Sequence, residues 1–318
     1  MSLREVIGQD KAVQLLLNTL KTGRVPSALL FAGEPGIGKR YTAFNFAKAL
    51  NCPGQELDSC DNCTSCKKID SGVHPDILFL RPERGEIRVD EIRSIEEALS
   101  FKPFEGKRKV VIIDEAEKMN QSASNAFLKT LEEPPSDSII IMISSSPDSL
   151  PATIRSRCCR IDFLPIPERD VERIVKKICS DSDRDLRTLV RLSMGRPGLI
   201  ASSDTFGDRE KLPSTVKALL MGSGSPWKDR EELEAFIENL MLLVRDMAFY
   251  KLNYETGILN MDIKDLVKEL TTKCSLGDII NTYERLLLLR RQLDFNLNIN
   301  ITWNYLSYMF KNLAKGGS

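Results

Sequence analysis

One histidine, two tryptophans and no net charge are what these 318 residues have least of. With 45 Lys and Arg against 45 Asp and Glu, no overall field draws the chain toward nucleic acid or anionic lipid, so any such contact must be local or shared. Long apolar runs are missing as well. Stretches such as Leu286 to Leu289 fall far short of the roughly 20 residues that span a bilayer, and the charged opening MSLREVIGQDK has no signal-peptide core. The expectation is a cytoplasmic protein. There is no internal repeat and no low-complexity segment. The lone histidine, His74, stands between Val73 and Pro75 just before a strand pattern, where a structural turn residue fits better than a catalytic base or a metal ligand. Disulfide scaffolds belong to small secreted domains, and eight cysteines in a chain of this size do not make one.

The length allows two or three domains. In the first half, short apolar runs alternate with helical patterns, as in a parallel sheet covered by helices. Strands are expected at Ala28–Ala32, Asp76–Leu80, Lys109–Ile113, Ser138–Ile143 and Cys159–Phe163. The first four are apolar enough to be buried on both faces. Helices are expected over Asp10–Thr22, Arg40–Leu50, Val89–Ser100 and Gln121–Glu133, the last capped by Asn120 and stopped by Pro134-Pro135. After Pro165 and Pro167 only helical patterns follow. Arg169–Cys179 and Asp185–Ser193 lead into the turn Gly195-Arg196-Pro197-Gly198. A Ser/Gly-rich stretch then precedes longer amphipathic patterns over Glu231–Tyr250, Leu276–Arg291 and Ile301–Lys311. These divisions predict an α/β domain at 1–164, a small helical domain at 165–205 and an all-helical domain at 206–318, with the closing Gly-Gly-Ser set aside.

The octapeptide GEPGIGKR, residues 33–40, follows the first strand and opens a helix. Gly33, Gly36 and Gly38 let backbone N–H groups face phosphate oxygens, Lys39 offers a point charge, and the helix presents its positive end. A strand that ends in Asp114-Glu115 supplies the complementary acids: Asp114 to hold a metal, Glu115 to orient and deprotonate water. Four cysteines crowd into NCPGQELDSCDNCTSC. Cys60, Cys63 and Cys66 at C-x-x-C spacing, with Cys52 upstream, can close a tetrahedral zinc site with no open position, which makes the metal structural. The insert, 51–67, has almost nothing apolar and could not order itself without metal. A redox role for the C-x-x-C pairs is the rival, though no thioredoxin-like context surrounds them. Cys179 and Cys274, on helical patterns, read as core fillers. Lys102 and Lys107-Arg108-Lys109 read as a solvated basic loop, with DNA contact as the alternative.

These features lie inside a longer resemblance. The run from Val110 to Cys158, VVIIDEAEKMNQSASNAFLKTLEEPPSDSIIIMISSSPDSLPATIRSRC, together with VIGQDKAVQLLLNTL at the front, resembles the clamp-loader branch of the AAA+ ATPases over roughly residues 4–205. That resemblance implies a P-loop AAA+ sheet, a helical lid, a zinc insert like that of bacterial clamp-loader subunits, and a C-terminal collar. It also implies roles. Arg157 of Ser156-Arg157-Cys158 would be an arginine finger reaching a neighbouring subunit's ATP, where a guanidinium stabilises charge on the transferred phosphoryl group. Ser144 or Ser145 would sense the terminal phosphate, and Arg196 would be a second sensor from the lid. A surface arginine before a strand is the plainer reading of Arg157.

Arg40 stands where a P-loop ATPase has a Ser or Thr hydroxyl on magnesium. The change removes a ligand and puts positive charge where a dication should sit, so hydrolysis in cis is expected to be absent or very slow, while nucleotide can still bind through backbone amides and Lys39. Within the family this favours a non-motor subunit over the motor subunits gamma and tau. It would join them and delta in a hetero-oligomeric ring through its collar, and help place the sliding clamp on primed DNA. The alternatives are a motor subunit or an autonomous AAA+ ATPase acting on DNA or protein, for which Arg40 would be tolerated, and a zinc-dependent nucleic-acid binder, which the neutral charge disfavours.

Overall fold

The computed structural model describes residues 2–54, 57–82, 85–178, 186–201, 211–224, 227–293 and 298–315. Five strands, β1 (Ala28–Ala32), β2 (Ile77–Leu80), β3 (Lys109–Ile113), β4 (Ser138–Ser144) and β5 (Cys159–Asp162), form one parallel sheet in the order β2-β3-β4-β1-β5. Among them run helices α1 (Asp10–Thr22), α2 (Lys39–Asn51), α3 (Thr64–Asp70), α4 (Val89–Ser100), α5 (Gln121–Glu132) and α6 (Ala152–Arg155). Then come α7 (Glu168–Ile178), α8 (Leu186–Ser193), α9 (Gly198–Ala201), α10 (Leu212–Met221), α11 (Arg230–Lys251), α12 (Lys264–Thr271), α13 (Leu276–Gln292) and α14 (Ile299–Lys315). This is the expected α/β arrangement with a helical C-terminal part.

Strands β1, β3 and β4 are buried at every residue. Their alternate side chains feed two cores. Leu29, Phe31, Val110, Ile112, Ile139 and Ile141 pack with Leu16 of α1 and Phe46 of α2. Leu30, Val111, Ile113, Ile140 and Met142 pack with Ile92 of α4 and Phe127 of α5. That two-sided burial is why these strands read as unbroken apolar runs. Strand β2 departs from the expectation: it lies at the sheet edge, no residue in it is fully buried, and Phe79 is exposed. Edge position leaves one flank of a strand without a covering partner, and apolar composition alone does not reveal it.

The chain separates into two compact units, Met1–Ile174 with Gly195–Gly198, and Val175–Met194 with Leu199–Ser318. In the second, α10 to α14 enclose a core that includes Leu240, Val244, Trp227, Trp303 and Phe310. A polar knot sits at its edge. Buried Asp246 accepts from the N–H groups of Leu259 (2.9 Å) and Asn260 (2.7 Å), from Asn260 Nδ2 (2.6 Å) and from Arg245 (2.7 Å). Cys274 is buried with its thiol on the Leu270 carbonyl, as a core filler should be; Cys179 lies outside the described residues.

The basic stretch after α4 is not a free loop. Lys109 is buried, and its amine closes the end of α4 by donating to the carbonyls of Ala98 (2.7 Å) and Phe101 (3.0 Å). Lys107 donates to the Cys52 carbonyl and Arg108 pairs with Asp137 at 3.0 Å. The same loop is held by fully buried Asp76, which accepts from the N–H groups of Phe104 (2.6 Å), Glu105 (2.9 Å) and Gly106 (2.7 Å). Burial works to raise its pKa, yet these bonds outweigh it and hold the carboxyl below the usual range. Replacing Asp76 with Ala should cost about 3 kcal/mol, because charged-acceptor bonds are lost and buried donors orphaned. A depressed folded pKa gives stability that is complete above the unfolded value near pH 4 and is lost as pH falls through the folded one. In urea unfolding, the gap between wild type and Asp76→Asn should therefore shrink from pH 7 toward pH 3; a gap unchanged with pH would contradict this.

Candidate functional site

The phosphate loop leaves β1 at Ala32 and turns on three glycines with positive φ, Gly33 (148°), Gly36 (78°) and Gly38 (97°). Only glycine suits the first. A Cβ there would stand 2.4 Å from the Phe163 carbonyl oxygen. Gly38 occupies the N-cap of α2, so the first amides of that helix face the loop. The loop is pinned from outside: Gly198 N–H donates to the Gly36 carbonyl at 2.8 Å, and Gln9 donates to the carbonyls of Ile37 (3.1 Å) and Leu164 (2.7 Å).

Lys39 is 6% exposed, and its amine donates to the carbonyls of Gly33 and of Glu34 (2.7 Å). Burial lowers its pKa, against the opposing charges of Glu117, Asp114 and Glu34. Arg40, the next residue, carries its guanidinium to 3.6 Å from the carboxylate of Asp114 at the end of β3. Burial pushes the Asp114 carboxyl up, and the Arg40 charge works against that. Glu115 has a left-handed backbone (φ 52°), and its carboxylate is held by Arg81 at 3.0 Å. Arg196, in the turn 195–198, reaches Glu34 of the loop at 3.1 Å.

The two serines at the end of β4 divide. Ser144 is fully buried, with its Oγ accepting from Ser146 N–H at 3.1 Å. Ser145 gives both its N–H (3.0 Å) and its hydroxyl (2.5 Å) to Glu117 Oε1, while Glu117 Oε2 is buried with no hydrogen-bond partner. Burial raises the Glu117 pKa, but the Ser145 and Ser144 bonds prevail and hold it low. Glu117 is a site residue that sequence reasoning passed over. Its signal was present as the third acid of Asp114-Glu115-Ala116-Glu117, two residues after Glu115. Glu34 and Arg81, partners of Arg196 and Glu115, had no signal, because single surface charges carry no pattern.

So Gly33, Gly36, Gly38, Lys39, Arg40, Asp114 and Arg196 come together, with Ser144 and Ser145 tied in beside Glu117. Arg157 does not join them. It follows α6, donates to the Thr153 carbonyl at 2.8 Å and pairs with Glu132 of α5 at 2.5 Å.

The four cysteines form a second centre. The Sγ atoms of Cys52, Cys60, Cys63 and Cys66 all lie within 4.8 Å of one another, and Cys52 and Cys63 are 4.0 Å apart. Four thiolates about 2.3 Å from one tetrahedral ion stand roughly 3.8 Å from each other, so the set fits a structural metal. Amide N–H groups of Cys60, Cys63 and Cys66 point at the sulfurs of Cys52 (3.3 Å), Cys60 (3.4 Å) and Cys63 (3.4 Å), an arrangement that favours thiolate. Backbone bonds from Asn62 and Cys63 bring the Cys60 thiol down to about 6, whereas burial pushes Cys66 up. The rest of the insert is fastened by polar contacts. Buried Asp58 accepts from Leu3 N–H (2.8 Å), and Lys48 pairs with Asp61 (2.6 Å) and Asp70 (3.0 Å). His74 is buried, bonded to Ser65 at 3.2 Å and to Asp76 N–H at 3.1 Å; burial lowers its pKa. Both bonds fasten the turn that leads into β2.

Over residues 8–167 the chain matches the family model described as DNA polymerase III, delta subunit. This chain belongs to that family. It is 31% identical over 291 residues to DNA polymerase III subunit delta' of Escherichia coli (strain K12), covering 86% of each chain. The delta' subunit of Bacillus subtilis (strain 168) is 26% identical over 316 residues, 95% of this chain and 96% of that one. The tau subunit of the same strain is 36% identical over 216 residues, 68% of this chain but 37% of tau. Relatives named delta' and tau are thus both similar to it; these two delta' chains are covered over 86% and 96% of their length and this tau chain over 37%. Among the described residues, no helix is long and apolar enough to cross a membrane.

Reconstitution with Co²⁺ should give one ion per chain and a thiolate-to-metal absorption band. Cys66→Ser should remove that band and lower the thermal midpoint by several degrees, since bound metal is folding free energy for the insert. A variant with an unchanged midpoint and cobalt spectrum would exclude the site.

Proposed function

We propose that this chain is the non-motor, delta'-type subunit of a DNA polymerase III clamp loader. It serves ATP hydrolysis in a neighbouring subunit and does not turn ATP over itself. The observation that carries the reading is the Arg40–Asp114 pair. Magnesium in a P-loop site is held between the hydroxyl after the lysine and the strand-end acid; here the hydroxyl is absent, the acid faces a guanidinium, and Glu115 is engaged by Arg81. These residues do not fit a catalytic magnesium.

Arg157 is the finger. Its position after a short helix, paired with Glu132 and apart from its own loop, suits a group that acts in trans. A guanidinium delivered by a neighbour stabilises charge developing on the transferred phosphoryl oxygens, so hydrolysis depends on assembly. Zinc is the metal of the four-cysteine insert, because an all-thiolate tetrahedral set selects it and leaves no open position for chemistry. In this reading residues 1–164 are the P-loop domain with that insert, 165–205 the lid and 206–318 the collar, and the lid's 195–198 turn, with Arg196, packs as part of the first compact unit. On α14, Ile301 (69% exposed), Tyr305 and Tyr308 (63% exposed) lie at helical spacing and give the collar an apolar stripe for the gamma or tau and delta subunits of the ring. The sliding clamp and primed DNA are met through the complex, in the cytoplasm.

Assembly with the motor subunit provides the test. Hydrolysis at the site that receives the finger should fall on the order of 10³-fold when wild type is replaced by Arg157→Ala, with assembly intact by gel filtration. Equal rates would remove the finger from this reading.

A further inference from the structure

We infer that Glu132 is a positioning residue for the finger: it holds the Arg157 guanidinium in the orientation in which it meets the neighbouring subunit's phosphoryl group. The inference rests on the reading of Arg157 given above and adds the residue through which this chain sets the finger's aim.

A surface arginine ordinarily spreads over many rotamers, and a finger ordered only when subunits dock gives up that freedom at the expense of rate. Arg157 is held beforehand at two points. Nη1 donates to the Thr153 carbonyl at 2.8 Å, and Nη2 donates to Glu132 Oε1 at 2.5 Å. Contacts on two different nitrogens fix the plane of the group as well as its place. They leave Nε–H and a second hydrogen on Nη2 for phosphoryl oxygens, since a guanidinium carries five N–H donors.

Both sides of the pair stand on packed structure. Glu132 ends α5 next to buried Leu131, and Pro134-Pro135 follows at once. Arg157 follows α6 between buried Ile154 and partly buried Cys158. Leu131, Ile154 and Cys158 share one core with Val111 and Ile113 of β3, so the sheet sets the distance between carboxylate and guanidinium. The arginines nearby are paired differently. Arg155 takes Asp148, seven residues away, and Arg160 takes Asp162, two away, whereas Arg157 takes an acid 25 residues away on another helix.

Glu132 orients the finger without locking it down. The Arg157 and Glu132 side chains are 34% and 49% exposed, and an ion pair so open to water is worth little beyond its geometry. The charge of the transferred phosphoryl group, met in a closed site between subunits, outcompetes one water-screened carboxylate.

The test is steady-state ATP hydrolysis by the full chain assembled with the motor subunit, with assembly checked by gel filtration. Glu132→Ala should lower kcat about 10-fold with the KM for ATP unchanged, because orientation is lost while the guanidinium remains. Glu132→Gln, which keeps an acceptor oxygen in place, should restore most of that rate. Glu133→Ala makes the same change of charge at the next, exposed residue and should match wild type. In an Arg157→Ala background, Glu132→Ala should have no further effect, since it acts through that side chain. A Glu132→Ala rate equal to or above wild type, an equal loss in Glu133→Ala, or a loss that adds to that of Arg157→Ala would overturn the inference. Should Arg157→Ala lower the rate and Glu132→Ala leave it alone, the finger stands and only its positioning falls; an Arg157→Ala chain as active as wild type removes both.

Discussion

The ion pair between Arg40 and Asp114 decides what the first unit can do. As a stabilising contact it is minor, since a pair with one partner half exposed contributes about 0–1 kcal/mol. Its importance is positional. The sheet delivers the acid at the end of β3 and the loop delivers residue 40 at the start of α2, and any cation between phosphate and acid must share that space. A guanidinium there is permanent, whereas a dication comes and goes with nucleotide. The neighbouring acids are engaged as well: Glu115 by Arg81, and Glu117 by Ser145.

The same unit holds its insert by a different principle. The cysteine excursion brings Cys52 and Cys66 into full burial yet has little else apolar, so order there comes from sulfur and from buried ions. Lys48, with its side chain 1% exposed between Asp61 and Asp70, and Asp58 on the N–H groups of Leu3 and Arg4, are the polar counterparts of a core. His74 and Asp76 continue the network to the loop that follows α4. The cysteine centre is thereby linked to the sheet edge by hydrogen bonds.

Much of this was legible in the sequence, for reasons tied to period and burial. Strands β1 and β3 and helices α1 and α4 fall on the expected residues, because two-sided burial and 3.6-residue periodicity leave unambiguous patterns. Helices α3, α10 and α12, of 7, 10 and 8 residues, were not anticipated; stretches that short show too few turns to establish a period. The phosphate loop and the cysteine set were legible because spacing carries their chemistry. Partnerships across the fold were not. That Lys109 would close a helix, or that Glu34 and Glu132 would receive Arg196 and Arg157, depends on chain segments whose approach no local pattern encodes.

The central claim is that the guanidinium excludes a divalent ion from the strand-end acid. Paramagnetic broadening by Mn²⁺ tests it directly, with the Asp114 side-chain carboxyl labelled and observed in the presence of nucleotide. The account predicts that the wild-type signal stays sharp as Mn²⁺ is added and that the Arg40→Thr signal broadens away. Broadening of Asp114 in the wild-type chain would contradict it.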